Sequence, residues 1–265
     1  MSLYEGDVKP RRCTMSGFIM DGYDETTYGN RSASIYDTRF APNEEETAQA
    51  VAVLAQLANG GRLLDLGTGT GRLAIPLAQA SIDVVGVDIS DAILERFREK
   101  PDSDKVAIIR GDIRDIVVDG TFDVVLLGFS TLAGLPTRDD QQRVLRNARK
   151  HLVEGGCLVV DLFVPDVRDI ASGRPLSLYS VDSDRVVLGA ATYEPIAQTF
   201  ASQIIVLRET GIKMYPASGR YIWPSELDYM ANTAEFNLEA RWADWKRTPF
   251  GAGCEMHVSV FRTRV

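Results

Sequence analysis

The stretch Leu63–Arg72, which reads LLDLGTGTGR, limits the fold of this chain more than any other part of it. Three glycines stand there at alternate positions, directly behind a short apolar run. Glycine lets the backbone take positive φ angles and lets a ligand approach without a Cβ in the way. A buried strand followed by such a turn and a helix is typical of α/β proteins that bind a ligand at the helix N-terminus. The stretch therefore predicts a ligand-binding strand–turn–helix unit.

The spacing of the glycines separates the possible classes of ligand. A dinucleotide site of the Rossmann type has the pattern G-x-G-x-x-G, whereas Gly67, Gly69 and Gly71 give G-x-G-x-G. A phosphate-binding P-loop ends in Gly-Lys-Ser/Thr, but Arg72 follows the third glycine here. The pattern therefore favours a ligand that is not held through its phosphates.

The surrounding residues repeat the alternation of strands and helices. Apolar runs predict five buried strands, at 62–66, 83–88, 106–110, 122–127 and 157–163. Capping residues and helical periodicity predict helices around and between them, after Asn43 as far as Asn59 and over 71–79, 91–99 and 137–151. Continuous apolar strands that alternate with helices indicate a parallel sheet covered on both faces.

The pattern changes after residue 163. Four β-rich runs, at 176–181, 185–193, 199–208 and 212–223, are separated by turn residues with no long helix between them, which indicates a small antiparallel sheet. A helix capped by Ser225 and strands over 238–245 and 256–262 follow. Trp242 and Trp245 lie three apart in the first of these strands and are expected on its opposite faces.

These patterns divide the chain into four parts. They are a flexible N-terminal tail at 1–20, N-terminal helices with a cofactor-binding core at 21–163, an antiparallel insertion at 164–224 and the closing helix and strands of the core at 225–265. The insertion is expected to act as a lid over the site or as a dimer element.

The segment Asp65–Gly71 resembles the first motif, D-x-G-x-G-x-G, of the class I S-adenosylmethionine (SAM)-dependent methyltransferases. Acidic residues also stand where that family has them, at Asp88 closing the second predicted strand and at Asp112 after the third. The resemblance covers residues 43–163 and implies an α/β fold: a Rossmann-like sheet of seven strands with an antiparallel β insertion after the fifth. It also implies SAM as the cofactor and methyl transfer as the reaction.

Several residues are then expected to bind the cofactor. An acid at Asp88 can accept hydrogen bonds from both ribose hydroxyls, and in the family the acid at the position of Asp112 receives the adenine amino group. Ile89 and Ile113 are expected to enclose the adenine ring, and Arg31 is a candidate partner for the methionyl carboxylate. The other predicted cofactor-binding residues are Asp65, Gly67, Thr68, Gly69, Gly71, Gly128 and Phe129.

The insertion and an N-terminal tyrosine make the chain similar to natural-product methyltransferases, including the aminosugar N,N-dimethyltransferases. The resemblance implies that this tyrosine, Tyr36, lies beside the transferring methyl group, which makes it the candidate catalytic residue. Tyr23, Tyr28 and Ser130 are expected to line the substrate pocket. The aminosugar enzymes carry a histidine after the fourth strand, whereas residues 129–135 contain none. An aminosugar acceptor is therefore in doubt, and no general base is evident.

The expected acceptor is a small molecule methylated at nitrogen or oxygen. Two alternatives remain open. An NAD(P)-dependent oxidoreductase would share the fold and Asp88, and a homologue that binds SAM without transferring a methyl group would share the whole cofactor site.

The composition narrows the class of partner. The 265 residues carry a formal net charge of −8, and such an acidic surface repels nucleic acid. No segment is long and apolar enough for a membrane span. The three cysteines, Cys13, Cys157 and Cys254, are scattered, which favours a reducing, cytoplasmic location and argues against a metal site. A monomer or a homodimer is expected, and His151 and His257 are expected to be structural.

Overall fold

The computed structural model describes residues 20–39, 43–173 and 175–264. The predicted tail at 1–20 lies outside these ranges except for Met20. The helices are α1 (Thr27–Ser32), α2 (Tyr36–Arg39), α3 (Glu44–Ala58), α4 (Ala74–Gln79), α5 (Asp91–Arg98), α6 (Arg138–His151), α7 (Val167–Ser172) and α8 (Pro224–Thr233). The strands are β1 (Arg62–Leu66), β2 (Asp83–Asp88), β3 (Ala107–Arg110), β4 (Phe122–Leu127), β5 (Leu152–Phe163), β6 (Leu176–Val181), β7 (Arg185–Glu194), β8 (Thr199–Arg208), β9 (Gly211–Arg220), β10 (Phe236–Trp242) and β11 (Met256–Thr263).

The main sheet has seven strands in the order β3-β2-β1-β4-β5-β11-β10. Its first five strands are parallel, and β11 pairs antiparallel with both β5 and β10. Alternate residues of β1 enter two apolar clusters, Leu64 and Leu66 in one and Leu63 in the other. Because successive side chains of a strand point to opposite faces, the sheet is covered on both faces, as predicted.

The parallel arrangement brings the carboxyl ends of β1, β2, β3, β4 and β5 to one edge of the sheet. In open α/β sheets ligands bind outside this edge, where the strand order reverses. Here the order reverses between β1 and β4, which places the expected site at the turns that follow these two strands.

The predicted insertion is a separate antiparallel sheet with the strand order β6-β7-β8-β9. It joins the carboxyl edge of the main sheet at two points. The rings of Phe163 and Phe200 pack edge to face with centroids 6.2 Å apart. A Cβ on Gly219 would lie 2.0 Å from the carbonyl oxygen of Ala133. One face of the insertion therefore stands over the ends of β4 and β5.

Three predicted helix caps are present. The Asn43 side chain accepts the backbone N–H of Glu45 and Glu46, and the Ser90 hydroxyl accepts that of Ile93. The Thr137 hydroxyl accepts the N–H of Asp140 at 3.1 Å. Each side chain satisfies a backbone donor that the first turn of a helix leaves without a partner.

The predicted cap at Ser225 is wrong. Helix α8 begins at Pro224, and the residue before it, Trp223, makes no side-chain cap. A proline fixes the φ angle that the first helical turn needs and has no N–H to satisfy there, so this helix starts without a polar cap.

The boundaries of α4 and β5 also differ from the prediction. Helix α4 begins at Ala74 and not at Gly71, because Gly71 has a φ of +83°, which no α-helical residue adopts. Strand β5 starts at Leu152 and not at Cys157, and it runs through Gly155-Gly156. The glycine pair is accommodated by a register shift against β4, between Phe122 and Val124.

The prediction that Trp242 and Trp245 face opposite sides of one strand is wrong. Strand β10 ends at Trp242, which pairs with Pro249 in an isolated bridge. Trp245 lies in the turn between them and is 3% exposed. Both rings pack against the same apolar cluster, because the chain reverses before the strand alternation reaches Trp245.

Candidate functional site

The glycine loop after β1 takes the conformation that its sequence predicts. Gly67, Gly69 and Gly71 have φ angles of +89°, +60° and +83°. The N–H groups of Gly67 and Thr68 donate to the carbonyl oxygen of Val87 at 2.8 and 2.9 Å. The loop is thus held against the end of β2.

The three glycines serve different purposes. A Cβ on Gly67 would lie 2.5 Å from Cγ2 of Thr131, and one on Gly71 would lie 2.6 Å from the ring of Phe97. At Gly69 the nearest atom in the described part of the chain is the hydroxyl of Tyr36, at 3.7 Å. Gly67 and Gly71 therefore allow close packing, whereas Gly69 leaves space between the loop and Tyr36.

Asp88 closes β2 beside this loop. One carboxylate oxygen accepts the N–H of Gly69 at 3.1 Å and the other accepts that of Ser90 at 3.0 Å. A carboxylate has about four lone-pair sites, so Asp88 retains acceptor capacity beyond its bonds to the backbone. Burial raises the pKa of Asp88 above its usual range. This arrangement suits a ligand that presents two neighbouring hydroxyl donors.

Asp112 stands two residues beyond β3 and forms an ion pair with Arg114 at 2.5 Å. Burial opposes ionisation, but the hydrogen bonds from Arg114 outweigh it and hold the pKa of Asp112 below its usual range. Arg114 also contacts Glu25 at 2.9 Å and Asp140 at 3.2 Å. Asp112 is therefore ionised and is fixed in position by a network that reaches the N-terminal segment.

The turn after β4 contains two consecutive non-glycine residues with left-handed backbone. Phe129 and Ser130 have φ angles of +48° and +61°, a conformation that costs about 1 kcal/mol or more per residue. Asp161 of β5 offsets this cost. Its carboxylate accepts the N–H of Phe129 at 3.2 Å, and its carbonyl oxygen accepts that of Ser130 at 2.8 Å. The Ser130 hydroxyl accepts the N–H of Phe163 at 3.2 Å.

The side chain of Phe129 faces the glycine loop. The guanidinium of Arg72 lies 4.9 Å from the centroid of its ring, within the range of a cation–π contact. The turns after β1 and β4 therefore meet through this pair, at the point where the strand order reverses.

Three polar bridges hold residues 20–39, which we call the N-terminal segment, across the carboxyl edge. Glu25 binds Arg114. The hydroxyl of Ser90 donates to the side-chain oxygen of Asn30 at 2.9 Å. Asp37 accepts bonds from the hydroxyl of Thr70 at 2.6 Å and the ammonium of Lys100 at 2.7 Å. The second and third bridges flank Tyr36 and position it over Gly69.

The remaining predicted site residues differ in how near they lie to Tyr36 and Gly69. Tyr28 packs edge to face with Tyr36, at 6.3 Å between ring centroids. Tyr23 is buried next to the backbone of Ser218 in β9, on the side of the insertion. Arg31 is exposed on α1. Ile89, Ile113, Asp65, Thr68 and Gly128 lie at the ends of the strands or in the turns after them.

Four residues that belong to the site were missed by the sequence analysis: Arg72, Asp37, Lys100 and Asp161. Asp161 had a signal, because a single acid interrupts the apolar run at 157–163 near the carboxyl end of its strand. Asp37 and Lys100 had none, since their pairing joins residues 63 apart in the chain.

Asp161 leads to a prediction about pH. Burial raises its pKa from 3.8 to about 6. The folded protein then binds this proton more tightly than the unfolded chain does, so the stabilisation is present below pH 4 and is lost as the pH rises through 6. Asp161→Asn removes the titration and keeps an oxygen for the N–H of Phe129. We expect the free energy of unfolding of the wild type to fall relative to Asp161→Asn by up to about 3 kcal/mol over this range.

The measurement is urea denaturation of both proteins at pH 4 and pH 7. Asp65, whose pKa burial raises to about 7, is present in both proteins, so its titration cancels in the difference. Equal changes in the two proteins would show that Asp161 does not titrate in this range.

Comparisons with known proteins agree with this geometry. Residues 63–156 match the family model described as a methyltransferase domain. The chain is 29% identical to the cypemycin N-terminal methyltransferase of a Streptomyces species, over 73% of this chain and 80% of that protein. It is 31% identical to the 27-O-demethylrifamycin SV methyltransferase of Amycolatopsis mediterranei, over 69% of this chain and 73% of that protein.

Solved structures share the fold over most of the chain. The CcbJ methyltransferase from Streptomyces caelestis is 36% identical, with a TM-score of 0.86 over 92% of this chain and 100% of that one. SAM-bound CalS10, an amino pentose methyltransferase from Micromonospora echinaspora, is 20% identical, with a TM-score of 0.65 over 87% of this chain and 95% of that one.

The residues fit the cofactor that these relatives indicate. SAM carries hydroxyl, amine, ammonium and sulfonium groups and no phosphate, and the site offers carboxylates at Asp65, Asp88 and Asp112. The space beside Gly69, which a Cβ would fill, allows a ligand to lie against the loop backbone. The dinucleotide alternative gains no support from these relatives. The chain belongs to the class I SAM-dependent methyltransferases.

Proposed function

We propose that this methyltransferase transfers the methyl group to an amine nitrogen of a small natural-product acceptor. The observation that carries the proposal is the state of the ionisable groups beside Gly69. Burial raises the pKa of Tyr36 far above its usual range, so its hydroxyl stays protonated, and Asp88 is bonded to two backbone N–H groups. A neutral amine has a free lone pair and needs only alignment, whereas a hydroxyl acceptor usually needs a base.

The names of the relatives support nitrogen as the methylated atom but do not exclude oxygen. Two of them are described as an N-terminal methyltransferase and an amino pentose methyltransferase. Another is described by a 27-O-demethyl substrate, which makes oxygen the second candidate. The net charge of −8 favours a small molecule over nucleic acid as the acceptor.

Each part of the site then has a proposed role. Asp88 accepts the ribose hydroxyls, Asp112 accepts the adenine amino group, and Ile89 and Ile113 pack against the adenine ring. Asp65, Gly67, Thr68, Gly69, Gly71 and Gly128 form the floor, and Phe129 and Tyr28 form apolar walls that exclude water. When bound, SAM supplies an electrophilic methyl group on its sulfonium. Tyr36 aligns the acceptor nitrogen with that group.

We propose roles for Arg31, Tyr23 and Ser130 that differ from those expected from the sequence. Arg72 is a better placed partner for the methionyl carboxylate than Arg31, because Arg72 follows the glycine loop and contacts Phe129, whereas Arg31 is exposed. Tyr23 and Ser130 act as supports for the pocket, since both contact backbone groups around it.

The insertion at 164–224 is proposed as the lid of the acceptor pocket, because Phe200 and Gly219 contact the carboxyl edge. A monomer or a homodimer is equally compatible with that role, and light scattering would distinguish them. Among the described residues, no helix combines the length and the apolarity that crossing a bilayer requires. A cytoplasmic location remains a prediction from the scattered cysteines.

The test is a screen of paired small amines and phenols with SAM, in which S-adenosylhomocysteine formation is measured. We expect turnover with amines and little with the matched phenols. Turnover with phenols alone would show that the methylated atom is oxygen and not nitrogen. Calorimetric binding of SAM without turnover on any acceptor would favour the non-methylating alternative.

Tyr36→Phe provides a prediction for the proposed alignment. Removing the hydroxyl deletes one hydrogen bond in the transition state and leaves the ring against Tyr28. We expect kcat to fall about 10- to 100-fold, while the Kd of SAM changes by less than about threefold. The control is Tyr229→Phe, on an exposed tyrosine of α8. An unchanged kcat would remove Tyr36 from the reaction.

A further inference from the structure

A cavity of about 660 Å³ lies on one face of the insertion. Its apolar lining includes Val187, Val206, Tyr215 and Ile35, and three cations, Arg185, Arg208 and Lys213, also line it. We call this cavity the insertion groove. Its volume is within the range of small-molecule sites.

The three cations are close together. Arg185 of β7 stands directly opposite Arg208 of β8. Lys213 of β9 stands opposite Val206, two residues along β8 from Arg208 and therefore on the same face. Like charges directly opposite each other on a sheet are unfavourable. Such a cluster stands out in a chain whose net charge is −8.

Nearby carboxylates offset only part of this charge. Asp182 pairs with Arg185 at 2.6 Å and Asp184 pairs with Arg208 at 2.9 Å. The side chains in both pairs are more than 40% exposed, and exposed pairs contribute little. Each guanidinium keeps further donors for a second anion. With Lys213, the groove has one cation more than these two carboxylates neutralise.

The insertion groove lies close to the proposed transfer site. Ile35 lines the groove, and the next residue, Tyr36, lies beside Gly69. Val206 is on the same face of β8 as Phe200, because the two are an even number of residues apart. Phe200 contacts Phe163 at the carboxyl edge. A ligand lying along this face therefore extends from the methyl-transfer point towards the cations.

We propose that the insertion groove binds an anionic group, a carboxylate or a phosphate, at the far end of the methyl acceptor. The acceptor is then an amine with an apolar body and an acidic end. This inference rests on the proposed function for the amine, but the anion site itself does not. The apolar lining contacts the body of the acceptor, and Lys213, Arg185 and Arg208 bind its charged end.

A binding experiment tests the site without turnover. Two fluorinated anions, 4-fluorophenyl phosphate and 4-fluorobenzoate, and the neutral 4-fluorobenzyl alcohol are titrated into the full-length protein and followed by ¹⁹F NMR. We expect the wild type to bind at least one anion about tenfold more tightly than the alcohol, and Lys213→Glu to abolish the difference. The stronger of the two anions identifies the acidic group.

Lys150→Glu, on an exposed lysine of α6, is the matched control and should keep the preference. Equal binding of anions and alcohol by the wild type would overturn the proposal, and so would a preference that survives Lys213→Glu. If the groove is instead an interface between two copies of the chain, Lys213→Glu will lower the mass measured by light scattering, and neither fluorinated anion will displace the second copy from the wild type. That result would also overturn the proposal.

A turnover experiment connects the site to the acceptor. Amines with a free carboxylate are compared with their methyl esters in the S-adenosylhomocysteine assay. We expect the acids to have at least about tenfold higher kcat/KM in the wild type and no advantage in Lys213→Glu. Equal rates for acids and esters would overturn the assignment of the groove to the acceptor. Anion binding that depends on Lys213 without methylation of any amine would instead contradict the proposed function.

Discussion

Asp88→Ala is expected to weaken SAM binding at least about 100-fold. The carboxylate is proposed to accept two ribose hydroxyls, and a hydrogen bond to a charged group contributes about 1.5–3 kcal/mol. The loss of two such bonds corresponds to a factor of about 100 or more in Kd. Isothermal titration with SAM and with S-adenosylhomocysteine measures the change.

The control for this variant lies on the same strand. Asp83 begins β2 and Asp88 ends it, and Asp83 forms an exposed ion pair with Arg62. Asp83→Ala should therefore bind SAM with the affinity of the wild type. Because Asp88 also accepts the N–H of Gly69, circular dichroism must show that Asp88→Ala is folded. A folded Asp88→Ala protein that binds SAM normally would exclude the proposed ribose contact.

Gly71→Ala is expected to lower the free energy of unfolding by about 3 kcal/mol. The new Cβ would lie 2.6 Å from the ring of Phe97 and 2.8 Å from Cδ1 of Ile75, in a backbone with a φ of +83°. Overpacking of this kind costs about 1–3 kcal/mol, and a left-handed residue with a Cβ adds about 1–2 kcal/mol. Urea denaturation measures the loss.

Gly69→Ala is the matched comparison in the same loop. Among the described residues its Cβ would meet no atom closer than 3.7 Å, so we expect only the left-handed backbone, about 1 kcal/mol, to reduce stability. The methyl group would nevertheless fill the space proposed for the cofactor, and we expect SAM binding to weaken about tenfold or more. If Gly69→Ala bound SAM normally, the cofactor would not lie against this part of the loop.

The order of the main elements was predictable because it follows from local patterns. Apolar runs of five to seven residues between glycines and caps identified the buried strands, and the D-x-G-x-G-x-G motif identified the turn proposed to bind the ligand. The boundaries depend on backbone angles that the pattern does not specify. From the sequence alone, for example, Gly71 could begin a helix or lie in the turn before one. Its close packing against Phe97 can be seen only in the tertiary structure.

The part of the site that sequence analysis missed consists of long-range pairs. Asp161 orders the turn at Phe129 from a neighbouring strand, 32 residues along the chain. Arg72 became a candidate for the methionyl carboxylate only when its position over Phe129 was known. The Trp242 and Trp245 prediction was wrong for a related reason, since the end of β10 is set by a bridge to Pro249.

The three bridges of the N-terminal segment also affect how easily the site opens. They join Glu25 to Arg114, Asn30 to Ser90 and Asp37 to Lys100, pairs that are 89, 60 and 63 residues apart. All three are partly exposed polar contacts, which contribute less to stability than the buried apolar clusters of the sheet do. We therefore expect the segment to open locally at a lower free energy than global unfolding requires. Each such opening would move Tyr36 away from Gly69 while Asp88 and Asp112 stay in place.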